Sequence, residues 1–451
     1  MFMEQMDATI ISPVIPQIAT AFGIDPLSLN VTMTVYLLCS LIFIPLSGLF
    51  ANRWGSRATF RASITLFILS SVLCALATNL ATLVACRALQ GAAAAMMVPV
   101  GRNALIHAVG KGKLVQALAW MVTPAMLGPM MGPPLGGLLG TYLSWHWVFL
   151  VNVPVGLLGL VAARRFMPEL NVRADSRFDL KEWLLLSAVL ALLVAGIEHV
   201  RQASDPLGVA AFLVLLGAVT TAYIHRYRQQ ARPMLDFSLL RLPSFAAGFW
   251  GGSLVRVGYG ALPFLLPLML QLGLGYSAVH SGIVLLVGGT AAFLAKTQTG
   301  AMLSRLGFRR ALILNGALCA VGLLLCAAFA SPGWNLAGIA AVMAAIGFFR
   351  AIQFNALSAI AYADMPPEKV AAATTLNTMA WQLAVMLGIA VSALVVQASA
   401  AWRDIDAPGT PDYAAAFVVL ALACLAALPW YRCLPSHAGA ELSGHRPRLS
   451  H

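Results

Sequence analysis

The chain has 451 residues, of which 60% are hydrophobic and only 10% are charged, and its formal net charge is +12. Soluble domains carry about 25% charged residues, so this composition excludes a soluble globular protein and indicates a chain that crosses a membrane many times. The seven cysteines fall at no metal-ligand spacing, and most of them lie inside apolar runs. They therefore predict neither a disulfide framework nor a metal site.

Fourteen apolar runs approach or exceed the roughly 20 residues that a membrane-spanning helix needs. They are predicted at 1–22, 30–51, 59–78, 80–101, 114–140, 145–165, 181–198, 207–225, 244–271, 277–299, 311–330, 334–358, 371–398 and 413–434. Prolines and glycines inside several runs are tolerated when neighbouring helices satisfy the freed backbone groups. The predicted fold is an all-α polytopic membrane protein.

Lysine and arginine are distributed unevenly between the two sets of loops. With a cytoplasmic N-terminus, 22 of the 28 basic residues lie in inner segments, whereas the outer loops hold two, Arg201 and Arg403. Because cytoplasmic loops of membrane proteins carry an excess of bases, we predict that both termini are cytoplasmic. This topology explains the positive charge without a nucleic-acid partner.

A ten-residue pattern occurs twice, 252 residues apart, as GLFANRWGSR at 48–57 and GAMLSRLGFR at 300–309. Both copies join two long apolar runs, so each predicts a hairpin of membrane helices in a duplicated bundle. The shared positions are Gly48 and Gly300, Arg53 and Arg305, Gly55 and Gly307, and Arg57 and Arg309.

The same offset relates predicted helices two to five to helices ten to thirteen, and helices seven and eight have no counterpart. We therefore predict an N-terminal six-helix bundle at 1–165, cytoplasmic loops and two inserted helices at 166–243, a C-terminal six-helix bundle at 244–434 and a cytoplasmic tail at 435–451. The counterpart of Pro243, where helix nine starts, would precede Met1. We expect helix one to lack its first turns through a misplaced start codon; a short first helix is the alternative.

After the charges near the ends of the spans are assigned to the loops, six charged residues remain inside the predicted spans: Glu4, Asp7, Arg87, Arg256, Lys296 and Arg350. A charge in hydrocarbon costs about 2.5–3.5 kcal/mol on insertion scales. These side chains are therefore expected to face a cavity or one another. Lys296 and Arg350 lie near the inner surface, where snorkelling of a long side chain is the preferred explanation.

Three of these charged residues belong to two pairs at helical spacing. Glu4 and Asp7 are three residues apart and share one helix face, as do Arg87 and Gln90. A carboxylate that binds a proton and an arginine in turn can couple transport to a proton gradient; a static ion pair is the alternative. Arg256, the repeat counterpart of Glu4, either binds an anionic substrate group or neutralises Glu4.

Predicted helix five contains the run PAMLGPMMGPPLGGLLG at 124–140. Gly128, Gly132, Gly136 and Gly140 recur every four positions, which predicts a smooth groove for close helix contact. Pro129, Pro133 and Pro134 each remove a backbone donor and predict a kink.

Together these segments resemble the major facilitator superfamily, and within it the fourteen-helix drug:proton antiporters of the EmrB/QacA type. GLFANRWGSR is similar to the family loop motif G-x-x-x-D-R-x-G-R-R, with Asn52 in place of its aspartate. RALQG at 87–91, LGPMMGPPLGG at 127–137, MDATIISPVIP at 6–16 and SWHWVFLVNVPVG at 144–156 are similar to motifs of helices four, five, one and six. PFLLPLMLQLGLGY at 263–276 most resembles the MdtD-like multidrug group.

This resemblance implies a proton-coupled secondary transporter that exports small amphipathic compounds by alternating access across the bacterial inner membrane. It implies that Asp7, Arg87 and Gln90 couple transport to protons, and we expect Glu4, Arg256 and Lys296 in the substrate cavity. Gating and structural roles are expected for Gly48, Asn52, Arg53, Gly55, Arg57, Gly128, Pro129, Gly132, Pro133, Gly136, Gly137, Gly300, Arg305, Gly307 and Arg309.

Other functional classes are less well supported. The sequence contains no GxxxxGK[ST], HExxH or GxSxG motif, so we expect no enzyme, and a proton gradient rather than a cofactor as the energy source. Four intramembrane bases against two acids keep export of organic anions or metal chelates as the alternative substrate class, and a non-transporting sensor is a further alternative. The expected partners are a small-molecule substrate and the lipid bilayer, with a periplasmic adaptor and an outer-membrane channel as further candidates.

Overall fold

The structure is a computed structural model and describes residues 1–109, 114–167, 169, 178–202, 206–230, 233–405, 407–435 and 438–443. Several bases on which the predicted topology rests lie outside these residues: Lys111, Lys113, Arg173, Arg177, Arg232, Arg446 and Arg448. Most of the predicted tail at 435–451 lies outside them as well.

The N-terminal part of the chain is built from long helices. Helix one is divided by a 3-10 turn at Ser12–Val14, where Pro13 lacks the backbone N–H of a regular helix. The helices are α1 (Phe2–Ile10), α2 (Ile15–Phe22), α3 (Asn30–Trp54), α4 (Ser56–Ala75), α5 (Leu80–Ala108), α6 (Leu114–Tyr142), α7 (Trp147–Leu150), α8 (Asn152–Phe166), α9 (Leu180–Gln202) and α10 (Pro206–Gln229).

The C-terminal part of the chain is likewise built from long helices, and its first span is also irregular. Its first span, Pro243–Gly273, is interrupted by π-helical turns at Ala247–Gly251 and Met269–Gly273. The helices are α11 (Pro243–Ala246), α12 (Gly252–Gly260), α13 (Leu262–Leu268), α14 (Ala278–Ala328), α15 (Leu336–Ala361), α16 (Val370–Trp402), α17 (Thr410–Leu425), α18 (Leu428–Arg432) and α19 (Ala440–Ser443).

Among the described residues, eleven helical segments are long and apolar enough to cross a membrane. The 51-residue helix α14 is two spans, because Gly307 leaves the helical conformation at φ 69° and ψ 165°. Helix α6 and the combined segment of α1 and α2 lie in two further predicted runs, 114–140 and 1–22. The all-α polytopic prediction is confirmed by these segments, and the total of fourteen spans stays a prediction.

The repeated loop motif has the same backbone geometry in both copies. Gly55 joins α3 to α4 at φ 83° and ψ 153°, and Gly307 makes the equivalent bend inside α14. Positive φ combined with an extended ψ is open almost solely to glycine. This explains why both copies of the motif carry glycine at the bend.

Two compact units make up the chain, Met1–Met234 and Leu235–His451. The inserted helices α9 and α10 belong to the first unit, where the Trp183 indole N–H donates to the Ile42 carbonyl oxygen at 2.8 Å. The buried core between α3, α4 and α5 includes Tyr36, Phe67 and Met97.

A close backbone contact recurs in both units and locates the repeat register. A Cβ atom added to Gly91 on α5 would lie 2.2 Å from the Tyr36 carbonyl oxygen, and one added to Gly347 on α15 would lie 1.9 Å from the Gly288 carbonyl oxygen. Tyr36 and Gly288 are 252 residues apart, but Gly91 and Gly347 are 256 apart. The chain between Gly288 and Gly347 therefore contains four more residues than the chain between Tyr36 and Gly91.

Candidate functional site

The centre of the N-terminal unit is an ion pair between α1 and α5. Arg87 Nη1 donates to Asp7 Oδ2 at 2.5 Å, and both side chains are fully buried. The sequence predicted this pairing from two charges that lipid alone does not tolerate, and the structure brings the two residues together.

Two amide side chains complete the shell around the Asp7 carboxylate. Gln90, three residues after Arg87 on α5, donates from Nε2 to Asp7 Oδ1 at 3.0 Å and accepts from Arg87 Nη1 at 2.7 Å. Asn152, the first residue of α8, donates from Nδ2 to Asp7 Oδ1 at 2.6 Å. Gln90 also donates to Ser71 Oγ on α4 at 2.8 Å, so four helices meet at one polar cluster.

The guanidinium of Arg87 is also held from α3. Its Cζ lies 4.2 Å from the centroid of the Tyr36 ring, a cation–π geometry, and its Nε donates to the Thr32 carbonyl oxygen at 3.4 Å. Its Nη2 is buried and has no hydrogen-bond partner among the described residues. One donor of the charged group thus remains available for a new acceptor.

The three groups that contact the Asp7 carboxylate are all hydrogen-bond donors: a guanidinium and two amide NH₂ groups. A protonated carboxyl would need an acceptor for its own O–H, and these contacts provide none. The arrangement therefore fits the ionised form of Asp7. Every member of the cluster is fully buried, so a change in the charge of Asp7 acts on its neighbours without screening by bulk water.

Glu4 lies one turn before Asp7 on α1 and is also buried, with 8% of its surface exposed. Its Oε2 has no hydrogen-bond partner among the described residues. An unpaired buried acceptor favours either a proton or a cationic ligand.

The glycine stripe of α6 packs directly on the helix that carries these acids. Cβ atoms added to Gly128, Gly132 and Gly136 would lie 2.8 Å from Met6 N, 2.3 Å from Thr9 Oγ1 and 2.0 Å from the Ile10 carbonyl oxygen, respectively. The predicted groove for close helix contact is therefore present between α6 and α1. Pro129, Pro133 and Pro134 do not interrupt α6, and Gly137 is buried beside them.

Arg256 on α12 is the buried base of the C-terminal unit, with 2% of its surface exposed. Its Nε and Nη1 have no hydrogen-bond partner among the described residues. Aromatic rings flank the guanidinium, with Cζ 5.3 Å from the centroid of Trp381 and 5.9 Å from that of Phe354. Gln353 on α15 is likewise fully buried.

The other predicted site residues lie at exposed or structural positions. Lys296 is exposed, and Arg350 is half-buried with its Cζ 5.9 Å from the Tyr259 ring centroid. Arg57 Nη2 donates to the Arg164 carbonyl oxygen at 3.1 Å. The remaining bases of the loop motif are exposed, namely Arg53, Arg305 and Arg309, and Gly48 and Gly300 have open space where a Cβ would stand.

Among the described residues of the C-terminal unit, the polar cluster has no equivalent. In the register given by the Gly91 and Gly347 contacts, Arg87 corresponds to Met343 and Gln90 to Ile346, both buried. Helix α12 carries no acid between Gly252 and Gly260. The two halves of the repeated scaffold therefore differ at the positions of the charged cluster.

Sequence reasoning missed three members of the cluster: Ser71, Tyr36 and Asn152. Asn152 falls in the run SWHWVFLVNVPVG, where a single amide among apolar residues is a signal that could have been read. No comparable signal distinguishes Ser71 or Tyr36. The described residues contain no group of three or more His, Cys, Asp or Glu that could hold a metal ion.

Comparisons with known proteins agree with this architecture. A sequence profile of the Major Facilitator Superfamily matches residues 1–389 and, in a second match, residues 249–448. The chain is 33% identical over 398 residues to the MdtD protein of Cronobacter sakazakii, covering 88% of this chain and 84% of that protein. It is 32% identical over 430 residues to MdtD of Escherichia coli, covering 95% and 91%. Both relatives are named for multidrug resistance.

Among solved structures, the nucleoside transporter NupG superposes with a TM-score of 0.65, covering 96% of this chain and 98% of that one. Its sequence identity is 14%, so this likeness supports the fold alone. The family match over most of the sequence, the relatives above 30% identity and the duplicated helical units agree with one another. The chain is a multi-pass membrane transporter rather than an enzyme, and it belongs to the Major Facilitator Superfamily.

Proposed function

We propose that the protein is a proton-coupled exporter of small amphipathic compounds that works by alternating access. The observation that carries this proposal is the buried cluster of Asp7, Arg87, Gln90 and Asn152. The MdtD relatives, which are named for multidrug resistance, support the substrate class.

Proton uptake at Asp7 would change the forces between three helices. In the structure the carboxylate accepts hydrogen bonds from α5 and α8, and its charge balances the Arg87 guanidinium. Protonation neutralises Asp7 and leaves the buried Arg87 guanidinium without its counter-ion. Losing one partner of a buried ion pair costs about 3–5 kcal/mol. Arg87 must then find another acceptor, and α1 is freed from α5.

The packing of α1 transmits this change to a second helix. Gly132 and Gly136 of α6 lie directly against the backbone of α1 on either side of Thr9, so a shift of α1 must be accommodated along the α6 surface. The glycine stripe presents no side chains that would lock the two helices in one register. Protonation of Asp7 and movement of α1 over α6 are thus mechanically linked in this proposal.

Export of organic anions or metal chelates is the second candidate function, and Arg256 favours it. Two of its guanidinium donors are buried without a partner in the described chain, and Trp381 and Phe354 flank the group. An aromatic acid would satisfy the donors with its carboxylate and stack its ring on these side chains.

We place the protein in the bacterial inner membrane with both termini cytoplasmic, in accordance with the distribution of bases along the sequence. We retain as proposals two six-helix bundles joined by two inserted helices, and substrate delivery to a periplasmic adaptor and outer-membrane channel. The energy source would be the proton gradient, without a cofactor.

The test is substrate-induced proton release from the purified protein in weakly buffered detergent solution, followed with a pH dye over cationic dyes and organic acids. Release by amphipathic cations, lost in Glu4→Gln but kept in Arg256→Ala, supports the first function. Release by organic acids, lost in Arg256→Ala but kept in Glu4→Gln, supports the second. Absence of release with every compound that the protein binds would reject proton coupling.

A further inference from the structure

A groove between α4 and α8 lies outside the polar cluster and is not used by the mechanism proposed above. It has a volume of ≈ 560 Å³, within the range of about 300–1,000 Å³ that small-ligand sites occupy. Two bases and a set of apolar side chains line it: Arg61, Arg164, Thr65, Leu66, Leu69 and Leu160.

The groove is basic at one end and apolar along its length. Arg61 lies in the second turn of α4, and Arg164 lies in the last turn of the antiparallel helix α8, so both arginines are at the same end of the helix pair. Leu69 is eight residues beyond Arg61, about 12 Å deeper at the helical rise. In the predicted topology the two bases therefore lie at the cytoplasmic end of the helix pair, and the leucines lie deeper in the bilayer.

The arginines of this groove have no counter-ion within the described residues. Arg61 Nε is buried and has no hydrogen-bond partner there, and Arg57 Nε beside it is in the same condition. Arg57 also donates to the Arg164 carbonyl oxygen at 3.1 Å, which fixes α4 against the end of α8. A buried donor without an acceptor is costly, and a phosphate oxygen would satisfy it.

The repeat shows that the helical hairpin does not require a base at position 61. Arg57 recurs as Arg309 at the offset of 252, so it belongs to the loop motif shared by both units. Arg61 instead corresponds to Ile313. The second hairpin bends at Gly307 without a base at that position. This indicates that Arg61 has a role other than folding the hairpin.

We propose that this groove binds one anionic phospholipid, with its phosphate on Arg61 and Arg164 and an acyl chain along Leu66, Leu69 and Leu160. Arginine matches phosphate oxygens in two-pronged geometry, and the described lining contains no acid to hold the ammonium of a zwitterionic head group. The site is independent of proton coupling and of the transported substrate.

The experiment titrates the purified full chain with phosphatidylglycerol, phosphatidylethanolamine or phosphatidylcholine of identical acyl chains and counts bound lipid by native mass spectrometry. We expect preferential retention of phosphatidylglycerol. The double variant Arg61→Gln/Arg164→Gln should weaken that binding roughly 25-fold, from a factor of about five for each base. Arg165→Gln is the matched control, because Arg165 is exposed on the same helix and its Cζ lies 5.8 Å from the Phe166 ring centroid, outside the groove.

Each of the following results would overturn the proposal: equal retention of the three lipids, preference for phosphatidylethanolamine, unchanged phosphatidylglycerol binding in the glutamine double variant, or displacement of the lipid by inorganic phosphate. Arg61→Lys/Arg164→Lys keeps the charge and guards against a folding defect. It should bind phosphatidylglycerol more tightly than the glutamine variant, but less tightly than the unmodified chain, because lysine lacks the two-pronged geometry. If the lysine variant loses lipid as completely as the glutamine variant, charge does not determine binding and the proposal fails.

Discussion

Arg87 and Asp7 are 80 residues apart in sequence, yet their side chains form a 2.5 Å salt bridge from which solvent is fully excluded. Removing one partner of such a pair leaves an unbalanced buried charge, whereas removing both does not. Stability and proton release can therefore be compared in the single and double variants, and this comparison distinguishes a static structural pair from a pair that carries protons.

We predict that Asp7→Asn lowers the free energy of unfolding by about 3–5 kcal/mol and abolishes substrate-induced proton release. The double variant Asp7→Asn/Arg87→Gln should recover most of that stability and still release no protons. Thermal unfolding and pH-dye measurements on the same preparations provide both readouts. Proton release that returns together with stability in the double variant would show that the pair is only structural.

Asn152 is expected to hold the Asp7 carboxylate in place from α8. Asn152→Ala removes the donor at 2.6 Å, and because the carboxylate stays buried the loss should destabilise the protein by about 1–3 kcal/mol and reduce proton release. The matched control is Asn315→Ala, since Asn315 is an equally buried amide on α14 that donates to the Ala311 carbonyl oxygen. Its loss should leave proton release unchanged; equal effects of the two variants on release would contradict a specific part for Asn152.

Close contact between α6 and α1 makes Gly136 intolerant of any side chain. A Cβ atom there would lie 2.0 Å from the Ile10 carbonyl oxygen, so Gly136→Ala must push the two helices apart. We expect a loss of about 1–3 kcal/mol in unfolding free energy, and reduced transport into membrane vesicles. Gly217→Ala on α10, where a Cβ meets nothing within 4 Å, is the control and should be neutral or slightly stabilising.

Both bends of the repeated motif should depend on glycine for their backbone conformation. Gly55→Ala and Gly307→Ala place an L side chain at φ 83° and φ 69°, and each is expected to cost about 1–3 kcal/mol. Gly48→Ala and Gly300→Ala, from the same two motif copies, are helical positions with open space and serve as controls. Thermal midpoints in detergent measure all four. An unchanged midpoint in either bend variant would remove the conformational explanation for that copy.

Asp179, which precedes α9, ties that helix to α10. Its side chain accepts from the Glu182 backbone N–H at 3.1 Å and from Arg226 and Gln230, and the first of these contacts contributes most to lowering the pKa of Asp179 below its ordinary value. A lowered folded-state pKa means that the stabilisation is present above the unfolded value of about 3.9 and is lost as pH falls through the folded value.

Hydrogen-exchange protection at the start of α9 should therefore be constant at neutral pH and fall below about pH 4. Asp179→Asn should lower protection already at neutral pH and remove the acid dependence. If hydrogen-exchange protection in Asp179→Asn still falls below about pH 4, a group other than Asp179 is responsible for the pH dependence.

Much of the fold follows from hydropathy and from one repeated loop. The predicted run at 30–51 is a helix at Asn30–Trp54, and that at 80–101 is Leu80–Ala108, because apolar length alone sets where a spanning helix lies. The pairing of Asp7 with Arg87 also follows from sequence, since both charges lie in apolar runs and each needs a partner. The contributions of Ser71 and Tyr36 depend on how α3 and α4 rotate against α5, which no spacing along one helix encodes.

The alignment of the two repeat copies is a second feature that the sequence alone does not determine. An offset of 252 describes the loop motif, yet the four additional residues between Gly288 and Gly347 shift the offset to 256, as the contact of Gly347 with the Gly288 carbonyl oxygen reveals. Without that contact, Arg87 would be matched to Ile339 instead of Met343. Packing, not periodicity, identifies equivalent positions after an insertion.

The one-sided placement of the polar cluster has a thermodynamic consequence for a fused, duplicated chain. A symmetric dimer of identical halves would bury two copies of every ionised group and incur the dehydration penalty of each. Here Met343 and Ile346 fill the corresponding positions with hydrocarbon, so that penalty arises once per molecule. A chain with two unlike halves can thus bury one ionised cluster in its N-terminal unit and a different buried base, Arg256, in its C-terminal unit.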